Sequence, residues 1–139
     1  MITLDASAVI AHLSPDDLHH EVASGLIRAA ADEDLIMHRL NLAEVLVGGV
    51  RAGRGQEMLD DLEAMGVAVA RPSPEVADGE ALRLAELRVR SGLKLPDCCA
   101  LDTALSSGSA LATVDQDLAK AARALHLVVV PAEAAAPSC

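Results

Sequence analysis

The chain of 139 residues contains no phenylalanine, tyrosine or tryptophan. This excludes an aromatic platform on which nucleobases stack, as in many proteins that bind single-stranded nucleic acid. Basic residues are scarce as well, with 11 Lys and Arg against 21 Asp and Glu, a formal net charge of −10. That balance argues against broad electrostatic capture of nucleic acid. Any nucleic acid must therefore be held by local Arg or Lys side chains, backbone N–H groups and metal ions.

Long apolar runs and a cysteine framework are missing too. Although 52% of the residues are hydrophobic, no unbroken apolar run approaches the roughly 20 residues of a membrane span. The segment from Met1 to Asp5 lacks the basic start of a secretory signal. The three cysteines, Cys98, Cys99 and Cys139, form no CxxC motif or Cys/His pair with zinc-ligand spacing. We therefore expect a cytoplasmic protein with reduced thiols and no membrane association.

Short β-branched runs alternate with longer amphipathic runs along the chain. The pattern predicts strands at 2–4, 35–37, 67–70, 110–113 and 127–130. Strands that alternate with helices imply right-handed crossovers and a parallel sheet covered by helices on both faces. The fully apolar run 127–130 is typical of a buried strand. We predict one α/β domain over 1–131 with a five-stranded parallel sheet, followed by a frayed Ala/Pro-rich tail over 132–139.

Helix starts are predicted from capping residues. Ser14-Pro15 followed by two acids predicts a helix over 14–31, and Ser73-Pro74 predicts one over 73–90. Asn41 and Glu44 have capping-box spacing and open a helix that weakens at the glycines 48–49. Further helices are predicted at 6–13, 56–65, 97–105 and 115–125.

Four acidic residues occupy similar places in this pattern. Asp5 follows the first strand and Asp115 follows the fourth, while Glu44 and Asp97 lie in the first turn of predicted helices. In an open parallel sheet, ligands bind outside the carboxyl ends of the strands. Regular crossovers would bring the four side chains to one rim of the sheet.

Helix capping is the alternative explanation for each acid taken singly. Asp is a favoured N-cap, and acids in a first turn interact favourably with the helix dipole. For Asp5 and Asp115 the two interpretations are evenly balanced, Asp97 is ambiguous, and for Glu44 capping is favoured. Capping does not require four ionised groups, however, because Ser, Thr or Asn serve equally well. A cluster of carboxylates needs protons or cations, and an oxygen-only site favours Mg²⁺ or Mn²⁺.

Four short motifs occur in order along the chain. They are Asp5-Ala6-Ser7-Ala8, Asn41-Leu42-Ala43-Glu44, Leu95-Pro96-Asp97-Cys98-Cys99-Ala100-Leu101 and Leu111-Ala112-Thr113-Val114-Asp115-Gln116-Asp117-Leu118. The set resembles the PIN-domain family and, within it, the VapC-type toxins of toxin–antitoxin pairs. The resemblance extends from Met1 to about Val130. It implies a Mg²⁺- or Mn²⁺-dependent endoribonuclease, an RNA substrate, a cognate antitoxin and a homodimer.

Through the resemblance, the acidic cluster of the family maps onto four residues of this chain: Asp5, Glu44, Asp97 and Asp115. Ser7 and Thr113 match hydroxyls that would support a carboxylate or a water. Asp117 is either an outer acid of the site or a helix cap, and the cap is favoured. No acid of the cluster is missing. The lack of aromatic residues departs from many relatives and puts base stacking by the protein itself in doubt.

Basic residues precede the third motif. Arg83, Arg88, Arg90 and Lys94 stand close together and lead into Asp97, so they are candidates for RNA contact. A solvated helix with cations near its C-terminus explains them equally well.

Two other function classes are alternatives to the nuclease. A catalytically inactive binding module on the same scaffold is less favoured, because the acids are intact. A phosphate-handling domain ranks lower still. A receiver domain would need an acidic pair at the first strand and a late lysine, and the Asp5-Ala6-Ser7 segment is not a DxDxT nucleophile motif.

Overall fold

The computed structural model describes residues 1–132, which form a single parallel sheet between helices. The strands are β1 (Ile2–Leu4), β2 (Leu35–Met37), β3 (Val67–Val69), β4 (Ala110–Ala112) and β5 (Val129–Val130). The helices are α1 (Ala6–Leu13), α2 (His20–Ala29), α3 (Arg39–Arg51), α4 (Gly55–Ala64), α5 (Pro74–Asp78), α6 (Glu80–Ser91), α7 (Leu95–Ser107) and α8 (Gln116–Ala124). The predicted tail, 132–139, lies outside the described residues except for Ala132.

The strand order is β3-β2-β1-β4-β5, and every neighbouring pair is parallel. This confirms the predicted five-stranded parallel sheet. Leu4, the last residue of β1, pairs with Ala112, the last residue of β4. All five carboxyl ends point to one edge, and the chain leaves β1 and β4 side by side at its centre.

Alternation along the strands supplies a core on each face of the sheet. Leu4 and Ala112 belong to one buried cluster, which includes residues of α1, α2, α3 and α4. Leu111 points to the opposite face and belongs to a second cluster with residues of α6, α7 and α8. Helices therefore cover both faces, as predicted. No helix within residues 1–132 is long and apolar enough to cross a membrane.

The predicted helix start at Ser14 is wrong. Ser14 is the C-terminal cap of α1, in an extended conformation, and its N–H donates to Ala11 O. Pro15 accounts for the end of α1 at Ser14, because a proline disfavours helical geometry in the residue before it. Asp17 then accepts a hydrogen bond from the backbone of His19 in a turn, and α2 begins at His20.

The effects of glycines on the helices also differ from the prediction. The helix predicted at 73–90 is two helices, which meet at Gly79. The guanidinium of Arg83 packs against this glycine, 2.7 Å from where a Cβ would stand, and its Nη2 donates to Val76 O in α5. The glycines 48–49 do not weaken α3, which continues to Arg51. Gly49 is buried and lets Met58 of α4 approach closely.

The prediction of a buried strand over 127–130 is only partly correct. The strand comprises Val129 and Val130, and Val128 is 67% exposed. β5 is at the edge of the sheet and pairs with β4 alone. An edge strand has fewer neighbours, so an apolar run does not guarantee burial there.

Candidate functional site

Asp5 lies at the centre of the carboxyl edge, between β1 and α1. It is the N-terminal cap of α1 and is only 3% exposed. Its Oδ2 accepts hydrogen bonds from the Ser7 hydroxyl at 2.6 Å, the Thr113 hydroxyl at 3.0 Å and the Ser7 N–H at 3.3 Å. Burial raises the pKa of Asp5, and the hydroxyls of Ser7 and Thr113 partly oppose that rise. Asp5 is thus both a cap and a buried, oriented carboxyl group.

Ser7 and Thr113 connect the ends of β1 and β4. Their hydroxyl oxygens are 3.1 Å apart. Ser7 Oγ also accepts from the N–H of Val114, and Thr113 Oγ1 accepts from the N–H of Asp115. The two hydroxyls therefore link the Asp5 carboxyl to the backbone that carries Asp115.

Asp97 lies in the first turn of α7 and has the most informative electrostatics of the site. Its pKa is raised to about 6 by burial first, and then by the negative charges of Asp5, Asp115 and Glu44, in that order. Lys94 has the opposite effect on the pKa. Acids from three other segments therefore act on the Asp97 carboxyl at the carboxyl edge.

Glu44 is not a capping residue. The N-terminal cap of α3 is His38, whose Nδ1 accepts from the N–H of Leu40, and the first turn of α3 contains no acid. Glu44 stands in the second turn, exposed to solvent. Its Oε1 accepts a hydrogen bond from Asn41 Nδ2 at 3.2 Å. The capping interpretation of Glu44 is wrong, because the helix starts earlier than its sequence signal suggests.

Asp115 and Asp117 occupy different positions at the start of α8. Asp115 caps α8 by accepting from the N–H of Leu118, and it lies beside the end of β4. Asp117 is an exposed residue in the first turn of α8. The helix cap assigned to Asp117 is thus provided by Asp115. Asp5, Asp97 and Asp115 all stand at helix N-termini, where the dipole favours negative charge.

The donor set of the site consists of oxygen atoms alone, which suits a hard cation such as Mg²⁺ or Mn²⁺. Within residues 1–132, no three Asp, Glu, His or Cys side chains lie close enough together to hold a metal ion as a group. Mg²⁺ does not require such a cage, because it retains several waters and is commonly bound through one or two carboxylates. The carboxylates present therefore fit a partly hydrated ion.

Asn41 was missed as a site residue when the sequence was taken alone. It is fully buried, and its Nδ2 also donates to the carbonyl of Pro96, at 2.9 Å. Its Oδ1 is buried without a hydrogen-bond partner among the described residues. Asn41 thus ties Glu44 to the first turn of α7, next to Asp97. The spacing of Asn41 and Glu44 indicated a capping box, and nothing in the local sequence indicated the contact between Asn41 and Pro96.

We expect Asn41→Ala to reduce Mg²⁺ affinity by about 10–100-fold, as for other residues that orient ligands. The change removes the hydrogen bonds to Glu44 and to the Pro96 carbonyl. Calorimetric titration with Mg²⁺, with thermal unfolding in parallel, would measure both effects. Ser24→Ala is a suitable control, since it removes a buried hydrogen bond to His12 elsewhere. A lower melting temperature with an unchanged Mg²⁺ midpoint would show that Asn41 is only structural.

The basic residues before Asp97 are engaged unequally. Arg83 forms two hydrogen bonds with the buried Asp102, from Nε at 2.7 Å and from Nη2 at 3.1 Å. Arg88 donates to the carbonyls of Gly92 and Leu93 at the end of α6. Arg90 and Lys94 are exposed, and Lys94 acts on the charge of Asp97. Lys94 is thus the member of the set that is tied to the acidic site.

Comparison with solved structures shows the same fold in three proteins. VapC20 of Mycobacterium tuberculosis, described as a sarcin-ricin loop cleaving toxin, matches with a TM-score of 0.68 and 17% identity over 87% of this chain and 95% of that one. FitAcB of Neisseria gonorrhoeae matches with a TM-score of 0.63 and 20% identity over 93% and 96%. PAE2754 of Pyrobaculum aerophilum matches with a TM-score of 0.56 and 23% identity over 93% and 90%.

Comparison with functionally curated proteins finds no match. A family model does match, and it extends over most of the chain, including the strands and helices that bring the four acids together. The model is that of the PIN domain, and it matches residues 2–124. The chain therefore belongs to the PIN domain family.

Proposed function

We propose that this protein is a Mg²⁺- or Mn²⁺-dependent endoribonuclease and the toxin of a toxin–antitoxin pair. The observation that carries the proposal is the placement of Asp5, Asp97 and Asp115 at helix N-termini along one edge of the sheet. Burial first, and then the charges of Asp5, Asp115 and Glu44, raise the pKa of Asp97 to about 6. Helix capping alone does not explain why several carboxylates gather at one edge of the sheet, since their negative charges repel one another. Bringing two like charges to 4 Å costs about 4 kcal/mol at an effective dielectric near 20.

The roles of the residues follow from their surroundings. Asp5, Asp97 and Asp115 would hold a partly hydrated cation, one or two of them directly and the rest through its waters, with the exposed Glu44 at the rim of the site. Ser7 and Thr113 keep Asp5 Oδ2 in place, so the carboxylate needs little reordering when a cation binds. When bound, the ion would activate a water and offset negative charge on the phosphoryl oxygens. No side chain has to act as a covalent nucleophile.

The acids also explain why a cation is needed where the scissile phosphate binds. That phosphate is repelled by the carboxylates of Asp5, Asp97, Asp115 and Glu44 unless positive charge lies between them. Lys94 offers one such charge next to Asp97, and Arg90 is a second exposed cation in the same part of the chain. The proposal therefore requires a divalent ion for cleavage of RNA at the acidic site.

The proposed partners follow from the toxin assignment. VapC20, which shares the fold, is itself described as a sarcin-ricin loop cleaving toxin. We extend to this chain an RNA substrate, a cognate antitoxin protein, assembly as a homodimer and a cytoplasmic location.

A second candidate function is that of an inactive PIN-like binding module. The observation in its favour is the lack of a preassembled group of three metal-binding side chains within residues 1–132. Such a module would bind a partner protein tightly and would not turn over RNA.

The direct test is to incubate purified protein with total RNA in Mg²⁺, in Mn²⁺ or in EDTA, and to map the cut ends by sequencing. We expect discrete cuts with either ion and intact RNA in EDTA, because the carboxylates need a cation to accept a phosphate. Intact RNA under all three conditions would favour the inactive module. Cutting that is unchanged in EDTA would contradict metal dependence.

A further inference from the structure

A cavity of about 540 Å³ lies between the β2–β3 side of the sheet and the helices α5, α6 and α7. We call it the arginine cavity, because Arg39, Arg71 and Arg83 line it. The acidic side chains that line it are Glu80 and Asp102. In a chain with a formal net charge of −10, a concave surface where arginines outnumber acids stands out.

Both acids of the arginine cavity are already engaged. Asp102 accepts two hydrogen bonds from Arg83. Glu80 Oε1 lies 2.8 Å from His38 Nε2. Because His38 Nδ1 accepts from Leu40 N–H, the ring proton resides on Nε2 and is donated to Glu80. The charge of Asp102 is thus paired with Arg83, and the Glu80 carboxylate is held by a hydrogen bond from His38.

Arg39 and Arg71 are in a different situation. Both are exposed, and within residues 1–132 neither guanidinium has a hydrogen bond or an ion pair. Two guanidinium groups at the mouth of one cavity, without acids of their own, are suited to anionic groups that enter from solvent. Arginine binds phosphate well because its planar group donates two parallel hydrogen bonds.

The register of the sheet places these arginines beside the acidic site. Met37 of β2 pairs with Val69 of β3, so Arg39 and Arg71 follow the two strands at equal height. Ile2 and Thr3 of β1 pair with residues 35 and 36 of β2, which sets Asp5 level with His38. Since strands are about 4.8 Å apart, the arginine side of the edge begins roughly 5–10 Å from Asp5.

We propose that the arginine cavity binds the phosphodiester backbone of single-stranded RNA next to the cleaved bond. The inference rests on the proposed nuclease function and adds the path of the substrate. The strand crosses the carboxyl edge from the acids that follow β4 and β1 to Arg39 and Arg71, which follow β2 and β3. A duplex is too wide to enter this cavity, whereas an extended strand presents phosphates to both arginines.

The test measures binding separately from cleavage. A fluorescently labelled, unstructured RNA of about ten nucleotides is titrated with protein in EDTA, over a series of salt concentrations, and its integrity is checked on a gel. The test variant is Arg39→Gln with Arg71→Gln. The matched control is Arg28→Gln with Arg51→Gln, which removes the same two charges from exposed positions that do not line the cavity. Thermal unfolding verifies that all three proteins are folded.

We expect the Kd of the test variant to rise about tenfold more than that of the control, because two charge-assisted contacts are lost. The slope of log K against log salt should become shallower by about 1.4, since each phosphate contact on a single strand contributes about 0.7. In Mg²⁺, KM for RNA cleavage should rise with little change in kcat, because these contacts lie beside the reacting bond.

Equal RNA binding and equal salt slopes for the test and control variants would overturn the proposal. The result is independent of the catalytic assignment. If wild-type protein binds RNA through the arginines and does not cut it, the cavity proposal stands and the nuclease proposal fails. If wild-type protein cuts RNA and the two variants share one KM, the reverse holds.

Discussion

Replacing Asp5 by Asn should reduce Mg²⁺-dependent RNA cleavage by about a thousandfold or more while the protein remains folded. The loss follows because a metal contributes several kcal/mol of charge stabilisation, and each 1.36 kcal/mol is a factor of ten in rate. An Asn oxygen can still accept the hydrogen bonds from Ser7 and Thr113 that now reach Oδ2. The neutral amide also avoids the cost of burying a negative charge, which is the effect that raises the pKa of Asp5.

Cleavage of a defined RNA on a denaturing gel measures the effect, and circular dichroism measures the fold. Asp61→Asn is the matched control, because it removes one carboxylate from an exposed position on α4. We expect the control to cleave RNA at the wild-type rate. Full activity of Asp5→Asn, with contaminating nuclease excluded, would contradict the proposed site.

Replacing Asp97 by Asn should abolish cleavage and yet stabilise the metal-free protein at neutral pH. The folded protein holds the Asp97 proton more tightly than the unfolded chain does, because the pKa rises from 3.8 to about 6. The ionised carboxylate therefore destabilises the fold above pH 6. This penalty fades as the pH falls through 6, and it is gone below the unfolded value.

The size of the gain is modest because Asp97 is half-buried and solvent screens its charge. We expect about 1 kcal/mol, or about 3 °C in melting temperature for a domain of this size. The gain should be present in EDTA at pH 7.5 and absent near pH 4. Differential scanning calorimetry at the two pH values, with Asp61→Asn as control, measures it.

Mg²⁺ should raise the stability of wild-type protein more than that of the Asp97→Asn variant. In wild-type protein the ion binds only the folded state, so a concentration 100-fold above its Kd adds about 2.7 kcal/mol. Asp97→Asn should lose most of this stabilisation, because it removes the half-buried ligand. Equal Mg²⁺-dependent shifts in melting temperature for wild type and Asp97→Asn would show that Asp97 does not bind the ion. A lower melting temperature of the variant in EDTA would contradict the charge repulsion.

The elements near the site were predicted well where their signals are local. β1 and α1 have the predicted bounds, and Asp5 at their junction is a cap with a second role. Capping and charge clustering were posed as alternatives for Asp5 and Asp115. Both acids are caps in the structure, and both also act on Asp97. The two interpretations are compatible, because the helix N-termini follow the carboxyl ends of parallel strands and therefore lie at the same edge of the sheet.

The misjudged elements share a different cause. The start of α3 was placed at Asn41, because His38 is not among the favoured capping residues. Its ring nitrogen caps the helix only because Glu80, 42 residues away, accepts from the other nitrogen. A similar distant contact divides the helix at Gly79, where Arg83 reaches back to Val76. Local propensity carries no trace of such partners.

The sequence by itself determined the strands, most of the helices and the kind of side chains at the candidate site. Strand and helix periods are local properties, and acids without His or Cys in the four motifs favour a hard cation at the proposed site. Tertiary structure alone decided which charges are available. Asp102 forms an ion pair with Arg83, which lies 19 residues away in the sequence, whereas Arg39 and Arg71 have no acidic partner within residues 1–132. Asn41 reaches Pro96 across 55 residues. Pairing between distant segments depends on how whole elements pack, and no short window of sequence records it.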